Sequence, residues 1–469
     1  MNIFKILLLV IASFSSLYAQ KVTQFNFQIS GYTEGVSVKL LGVYVDQNFL
    51  ADTAKVNSEG KITFKNTQGF QEGMYYLLLP EDKNMQIVIV NGENNFTIHA
   101  DRQTLSANAT VEGSLENKLL YENAKFQANL EKQYNMFNQE LRSTPQQTPQ
   151  YQDIRNKMQA LLDGRDVTLQ ALKAAYPTAL FTKFKLAGQN PKIRFSYRPD
   201  GSLDSTLTMH NFRLDWWNDF DFRDTRLLRT PVFFNKMKKY IQEYTAQQPD
   251  SIIISANDLI DKTLINKEIA KVVIGWVTGQ YKPAQTKLMD GEAVYSYLIL
   301  KYFTPERFEE IPQEELKTTR QRATEMQASV IGAIGQNVWG KDKNNVKHAL
   351  YDIKSDIKIV YVYNPDCEHC QLETPKLREI YDKWKGKGVE IFSIVANPKD
   401  KAEWTDFQNK YGVNWIDVTD PQLESHFNEK YYIDITPELY VLDKNFRIIA
   451  KNLKPEQLPE IFEKVLNTH

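Results

Sequence analysis

The two cysteines of this chain, Cys367 and Cys370, lie three positions apart in the sequence Cys-Glu-His-Cys. A pair so close in sequence closes almost no loop, so a bond between the two sulfurs would add little to stability. The spacing therefore indicates redox chemistry or metal binding. Disulfide exchange requires a thiolate, and a free cysteine with a pKa of about 8.5 is mostly protonated at neutral pH.

The elements around the cysteines predict how a thiolate would be stabilised. The apolar run 357–363 is typical of a buried strand, and residues 371–384 are typical of a helix. Strand, loop, cysteines and helix follow in that order, which places Cys367 at the first turn of the helix. Unpaired backbone N–H groups and the positive end of the helix dipole favour an anion at that position. Cys370 would then lie within reach of Cys367 and resolve a mixed disulfide.

A carboxylate is predicted beside the second sulfur. Glu373 lies three residues after Cys370 and hence near the same helix face. If this carboxylate is half-buried, its pKa would be raised, and it would accept the proton of the Cys370 thiol.

Further short motifs accompany the cysteines between residue 331 and the C-terminus. These motifs are Cys367-Glu-His-Cys370, Glu373, Pro375, Gly388-Val-Glu-Ile391, Lys410-Tyr-Gly-Val413 and Thr436-Pro437. With them, this part of the chain resembles the TlpA/ResA-type thiol–disulfide oxidoreductases, exported thioredoxin-like proteins of bacteria. The resemblance implies that Cys367 attacks, Cys370 resolves and Glu373 handles the proton.

The same resemblance implies how a substrate is held. A cis Thr436–Pro437 peptide bond is expected to face the cysteines, and these two residues would bind a substrate peptide. Pro375 would kink the active-site helix. The implied substrates are protein disulfides, the implied electron source is a membrane-bound thiol donor, and no cofactor is expected beyond the Cys367–Cys370 disulfide.

Three residues beside the cysteines, Asp366, Glu368 and His369, are predicted to tune the thiolate. Asp366 stands where the family usually has Trp, and its negative charge would raise the pKa of Cys367. A His before the second cysteine resembles the strongly oxidising DsbA-type motif, in which the thiolate and the reduced form are stabilised. Because these two effects oppose each other, the motif alone does not indicate the direction of electron flow. The family resemblance favours a reductase.

With 469 residues, the chain is too long for a single core. The sequence predicts a signal peptide at 1–19, an all-β sandwich at 20–112, a helical domain at 113–330 and an α/β thioredoxin-like domain at 331–469. The first two folded regions resemble the β-sandwich and helical domains of unknown function that often precede such a thioredoxin domain.

Period-2 alternation predicts the strands of the first region, and Ser114 is the expected N-cap of the first helix. Helical segments are expected at about 205–220, 230–247, 255–280, 287–303 and 313–330. Aromatic and acidic residues alternate in 214–224. This run indicates either a partner-binding surface or, as we favour, a helix end packed into a core.

The N-terminus predicts export. Lys5, the apolar run 6–14 and a small residue at Ala19 are typical of a cleaved signal peptide, and the run is too short to span a bilayer. Hydrophobic residues make up 42% and charged residues 25% of the chain. Because the net charge is only −1, we expect no nucleic-acid partner. We therefore expect a periplasmic protein, soluble or peripherally associated with the membrane.

Three alternatives remain open from the sequence. Cys367, His369 and Cys370 are plausible metal ligands, although adjacent positions do not converge easily on one ion and no second cysteine cluster exists. A second alternative is that the pair is locked as a structural disulfide. The third alternative is a binding or scaffold protein whose front domains recruit a partner. In that case the redox domain is secondary or acts as an oxidase or isomerase. The front domains would form a homodimer, recruit a client or hold the protein near a membrane electron donor.

Overall fold

The computed structural model describes residues 23–283, 285–286 and 288–467. The predicted signal peptide, 1–19, lies outside these residues. Within them the chain forms two compact units: one extends to Thr245 and takes in Lys262–Ile269, and the other holds Ala246–Asp261 and the chain from Ala270 onward. No helix in this described part is long and apolar enough to cross a membrane.

The first unit begins with strands, and in most of them alternate residues are buried. They are β1 Thr23–Ser30, β2 Ser37–Tyr44, β3 Gln47–Lys55, β4 Lys61–Asn66, β5 Gly73–Leu78, β6 Asn84–Ile89, β7 Asn95–Asp101 and β8 Thr110–Glu112. Among the described residues they form two four-stranded sheets, ordered β4-β1-β7-β8 and β3-β2-β5-β6. Phe25 stacks on Phe96 at 4.9 Å and on Phe64 at 5.5 Å between ring centroids, so inward aromatic rings form the core. The predicted N-terminal β region is confirmed.

Helices follow the sheets in the same unit. They are α1 Leu115–Ser143, α2 Pro149–Ala175, α3 Leu180–Ala187, α4 Ser205–Asp215 and α5 Pro231–Lys238. Ser114 is the N-cap of α1, and its hydroxyl accepts the N–H of Asn117 at 3.0 Å, as its residue type predicts. The predicted helix 205–220 ends earlier, at Asp215. Trp216 and Trp217 beyond it are 2% and 4% exposed, which confirms the packed-core interpretation of this aromatic run.

Four further helices lie before the C-terminal sheet in the described chain: α6 Pro249–Thr263, α7 Lys267–Gln280, α8 Gly291–Tyr302 and α9 Gln313–Gln327. The prediction of one helix over 255–280 is wrong, because the chain breaks between α6 and α7. Asn266 causes the break: its Oδ1 accepts the N–H groups of Glu268 at 3.0 Å and Ile269 at 3.2 Å. An Asn side chain that satisfies these donors starts a new helix.

The C-terminal part of the second unit is a mixed sheet flanked by helices. Its strands are β9 Trp339–Lys341, β10 Lys347–Ala349, β11 Ile357–Tyr363, β12 Val389–Val395, β13 Ile416–Thr419, β14 Glu438–Leu442 and β15 Ile448–Lys451. Its helices are α10 Glu368–Trp384, α11 Lys401–Tyr411, α12 Phe427–Lys430 and α13 Leu458–Leu466. The described strands are ordered β10-β9-β13-β12-β11-β14-β15. β11 is parallel to β12 and antiparallel to β14.

β11 explains the position of the cysteines. Every residue of this central strand is buried, as expected for a strand that is covered on both faces. This strand ends at Tyr363, shortly before the start of α10, where the cysteines lie. The predicted multidomain architecture, with a β region, a helical region and a C-terminal α/β thioredoxin-like fold, is therefore confirmed.

Candidate active site

Cys367 is the N-cap of α10. Its Sγ accepts the N–H of Cys370 at 3.3 Å and donates to the carbonyl oxygen of Thr436 at 3.2 Å. Burial acts to raise the pKa of the Cys367 thiol, but hydrogen bonds from the Cys370 side chain and from the backbone N–H groups of the first turn outweigh it, so the pKa is lowered. The thiol lies where unpaired N–H groups of a helix favour an anion.

Cys370 has the opposite environment. Its side chain is fully buried, and its Sγ accepts the N–H of Asn364 at 3.5 Å. Burial, together with the hydrogen bond to Cys367, raises the pKa of the Cys370 thiol to about 12. Both cysteines are free thiols in this structure. One sulfur is therefore partly exposed and easily ionised, and the other is buried and holds its proton.

The Thr436–Pro437 peptide bond is cis, as the resemblance implied. This bond immediately precedes β14, which pairs with the central strand β11. The pairing carries the carbonyl of Thr436 to the sulfur of Cys367. A backbone segment thus lies against the more reactive thiol.

Glu373 lies one turn after Cys370 on α10, and its side chain is 20% exposed. One carboxylate oxygen is 3.2 Å from Nζ of Lys376, which also pairs with Glu456 at 2.8 Å. The other oxygen, Oε2, is buried and has no hydrogen-bond partner among the described residues. The carboxylate is thus half-buried, as expected, and its part in proton transfer stays a prediction.

The residues predicted to tune the thiolate are exposed. Asp366 forms an ion pair with Lys399 at 2.8 Å, and hydrogen bonding to that ammonium lowers the pKa of the Asp366 carboxyl. The ammonium of Lys399 therefore offsets the negative charge of Asp366 and weakens the effect of that charge on Cys367. Glu368 and His369 face solvent on the first turn of α10, and the backbone N–H of His369 contributes to the lowered pKa of Cys367.

Tyr361 and Thr374 belong to the site, although the sequence did not single them out. The buried Tyr361 hydroxyl is 2.9 Å from the hydroxyl of Thr374, which donates to the carbonyl oxygen of Cys370 at 2.7 Å. Burial raises the pKa of Tyr361, and the nearby thiols raise it further, so this hydroxyl stays neutral. A signal was available: alternate residues of β11 share a face, and Tyr361 shares one with Tyr363, the last residue before the active-site loop.

The metal-site alternative gains no support from the geometry. In the part of the chain that the structure describes, no three side chains of His, Cys, Asp or Glu lie close enough together to hold a metal ion. The set Cys367, His369 and Cys370 is included in that finding.

Two known families match separate parts of the chain. The sequence profile of the AhpC/TSA family matches residues 319–451, and a domain of unknown function, DUF4369, matches residues 26–120. The first match covers the cysteines and the Thr436–Pro437 bond. The second covers the sheets of the first unit and the start of α1.

Individual proteins are similar to the C-terminal part. The thiol–disulfide oxidoreductase ResA of Bacillus anthracis is 28% identical over 138 residues, which are 29% of this chain and 78% of that protein. ResA of Geobacillus kaustophilus is 25% identical over 146 residues, 30% of this chain and 82% of that protein. A domain of a possible thiol–disulfide isomerase from Cytophaga hutchinsonii is 34% identical, with 30% of this chain and 97% of that chain covered and a TM-score of 0.28.

Fold, site and sequence similarity together define the class of the C-terminal region: it is a thioredoxin-like domain. Within that class it belongs to the TlpA/ResA type, and it is thereby an enzyme domain of the thiol–disulfide oxidoreductase family.

Proposed function

We propose that this protein is an exported thiol–disulfide oxidoreductase that reduces protein disulfides through Cys367 and Cys370. The observation that carries the proposal is the asymmetry of the two thiols. The pKa of Cys367 is lowered at a partly exposed helix N-terminus, whereas the pKa of the buried Cys370 is raised to about 12. A nucleophile must be ionised and accessible, whereas a resolving thiol needs to ionise only after the mixed disulfide has formed.

The exchange proceeds in two balanced steps. The Cys367 thiolate attacks one sulfur of the client disulfide, forms a mixed disulfide and releases the first client thiolate. Cys370 then loses its proton, attacks Sγ of Cys367 and releases the second client thiolate, leaving a Cys367–Cys370 disulfide. The client gains two electrons, and no further cofactor is needed.

Glu373 is the proposed acceptor of the Cys370 proton. Because the Cys370 thiol holds its proton strongly, resolution requires a base within the site. The buried Oε2 of Glu373, which has no hydrogen-bond partner among the described residues, is available for that task. Thr436 and Pro437 are proposed to position the client, because the Thr436 carbonyl already lies 3.2 Å from the attacking sulfur.

The proposed direction of electron flow is from this protein to the client disulfide, because the family resemblance favours a reductase. A membrane-bound thiol donor would return the Cys367–Cys370 disulfide to the dithiol. Equilibration of the couple in glutathione buffers tests the direction: a potential of about −250 mV or lower supports a reductase, and one near about −120 mV indicates an oxidant.

Trapping tests the roles of the two cysteines. A Cys370→Ser variant of the full chain should accumulate a mixed disulfide with a reducible client, because the second step is removed. Cys367→Ser is the matched control and should accumulate none. Iodoacetamide at neutral pH should alkylate Cys367 before Cys370. If Cys370→Ser traps nothing and the wild type exchanges no thiols, the enzymatic proposal fails.

The proposed location is the periplasm, with cleavage of the signal peptide near Ala19. Its support is the basic start and short apolar run at the N-terminus, residues that lie outside the described part of the structure. The mature protein recovered from a periplasmic fraction should begin near Gln20. The front domains are proposed to recruit a client or to form a homodimer.

A further inference from the structure

A cavity lies beside the loop that contacts Cys367. It has a volume of about 300 Å³ and is formed, within the second unit, by the chain around 288–292 and by residues of the 432–438 segment. Ile435, on one wall, directly precedes Thr436, whose carbonyl accepts the hydrogen bond from Cys367 at 3.2 Å. Ile435 is 56% exposed, and Met289 on the opposite side is 41% exposed. The mouth of the cavity is therefore at the surface, and one wall of the cavity directly precedes the residue that contacts the reactive thiol.

The cavity combines apolar walls with carboxyl groups. Tyr432 and Ile435 provide apolar surface, while Glu292, Asp434 and Glu438 provide acids. The lining side chains that the structure describes include no lysine or arginine. A cavity of this composition suits a ligand with an apolar stem and a cationic head.

Glu438 gives the cavity an unsatisfied acceptor. Its side chain is 5% exposed, and its Oε2 has no hydrogen-bond partner among the described residues. Glu292 differs, because its carboxylate forms an ion pair with the buried ammonium of Lys451. A buried oxygen without a donor costs free energy until a ligand supplies one.

We propose that this cavity binds the side chain of a lysine or arginine that lies within two residues of the reactive cysteine in the client peptide. The proposal rests on the proposed function and specifies the class of its substrate. The aliphatic stem packs on Tyr432 and Ile435, and the cationic head donates to Asp434 and Glu438. A purely apolar side chain would leave the Glu438 oxygen without a donor, and an acidic one would be repelled.

The test uses peptides that carry one cysteine as a mixed disulfide with thionitrobenzoate. Lysine, norleucine or glutamate is placed in turn at each of the two positions on either side of that cysteine. Attack by Cys367 of the reduced full-length protein forms the peptide mixed disulfide and releases the yellow thiolate. Each second-order rate constant is divided by the rate constant of the same peptide with 2-mercaptoethanol, which removes intrinsic differences between the peptides.

We expect lysine to react at least about fivefold faster than norleucine at one of these positions, the effect of a single well-placed ion pair. Glutamate should react more slowly than norleucine. Asp434→Asn, at an exposed position that tolerates the change, should bring the ratio of lysine to norleucine towards one. Glu438→Gln should also lower the ratio, provided that its unfolding transition shows a folded protein. Asp406→Asn, an exposed acid on α11 outside the cavity lining, is the matched control and should leave the ratio unchanged.

The possible failures are distinguishable. Equal normalised rates for the three peptides at every position, with release well above that of Cys367→Ser, would overturn the subsite and leave the proposed function intact. A preference for lysine that persists in Asp434→Asn and Glu438→Gln would also overturn it, because the selectivity would then arise elsewhere. Release no faster than that of Cys367→Ser with every peptide would remove the proposed function and the subsite with it.

Discussion

Glu438, the first residue of β14, has a carboxyl group in an environment that disfavours its ionised form. The pKa of its carboxyl is raised from 4.5 to about 8, mainly by burial and also by the negative charge of Glu292, while Lys451 acts in the opposite direction. The negative charge of Asp434 also raises the pKa of Glu438. With the cavity empty, this carboxyl is therefore mostly protonated at neutral pH in the folded protein, and a cationic side chain bound beside it would favour the ionised form.

This environment predicts a pH-dependent free energy of unfolding. A carboxyl whose pKa is higher in the folded than in the unfolded state binds its proton more tightly when folded. The resulting stability is fully present below pH 4.5 and is lost as the pH rises to about 8. At about 1.4 kcal/mol for each tenfold change in proton affinity, a rise from 4.5 to about 8 corresponds to about 5 kcal/mol.

The Glu438→Gln variant isolates this contribution, because an amide fills the same space without titrating. Urea unfolding is measured for both proteins from pH 4.5 to pH 9. We expect similar free energies of unfolding at the acid end, and a variant more stable than the wild type by up to about 5 kcal/mol above pH 8. Glu379→Gln, an exposed glutamate of α10, is the control and should follow the wild type. Parallel curves for Glu438→Gln and the wild type would refute the reasoning.

Two further changes probe the thioredoxin-like domain. Lys399→Ala removes the ammonium that pairs with Asp366 at 2.8 Å, so the unbalanced carboxylate should raise the pKa of Cys367 and slow its alkylation about twofold at neutral pH and low salt. The effect should vanish at high salt, because exposed charges are screened, and Lys401→Ala, as the control, should show no slowing. Asp417→Ala removes a buried carboxylate that accepts several side-chain hydrogen bonds. The donors left without an acceptor should cost about 3 kcal/mol or more, and an unchanged urea midpoint would contradict this expectation.

The sequence by itself determined the local parts of the site. The apolar run 357–363 and the helix after Cys367 follow from patterns within a few residues, because a buried strand and a helix N-terminus are short-range structures. Cys370 reaches Cys367 for the same reason, since one helical turn separates them. The boundary at Ser114 was also predictable, because a helix cap depends on residues only three positions apart.

Longer helices were less predictable than these local signals. The break at Asn266 depends on which of two local structures its side chain stabilises, the interior of one helix or the cap of the next. Asn is compatible with both, so the apolar periodicity across 255–280 predicted a single helix. The structure resolves the choice through the hydrogen bonds that Asn266 accepts.

Only the tertiary structure decided the electrostatics of the site. Thr436 lies 69 residues from Cys367, and pairing of β14 with β11 is what brings its carbonyl to the sulfur. Lys399 balances the charge of Asp366 although it belongs to a later segment of the chain, and Glu292 acts on Glu438 from a helix that precedes the whole sheet. The pKa of a group depends on the charges, donors and solvent that packing places around it. Residue types and their spacing therefore identified the chemistry, and the fold determined how strongly each group holds its proton.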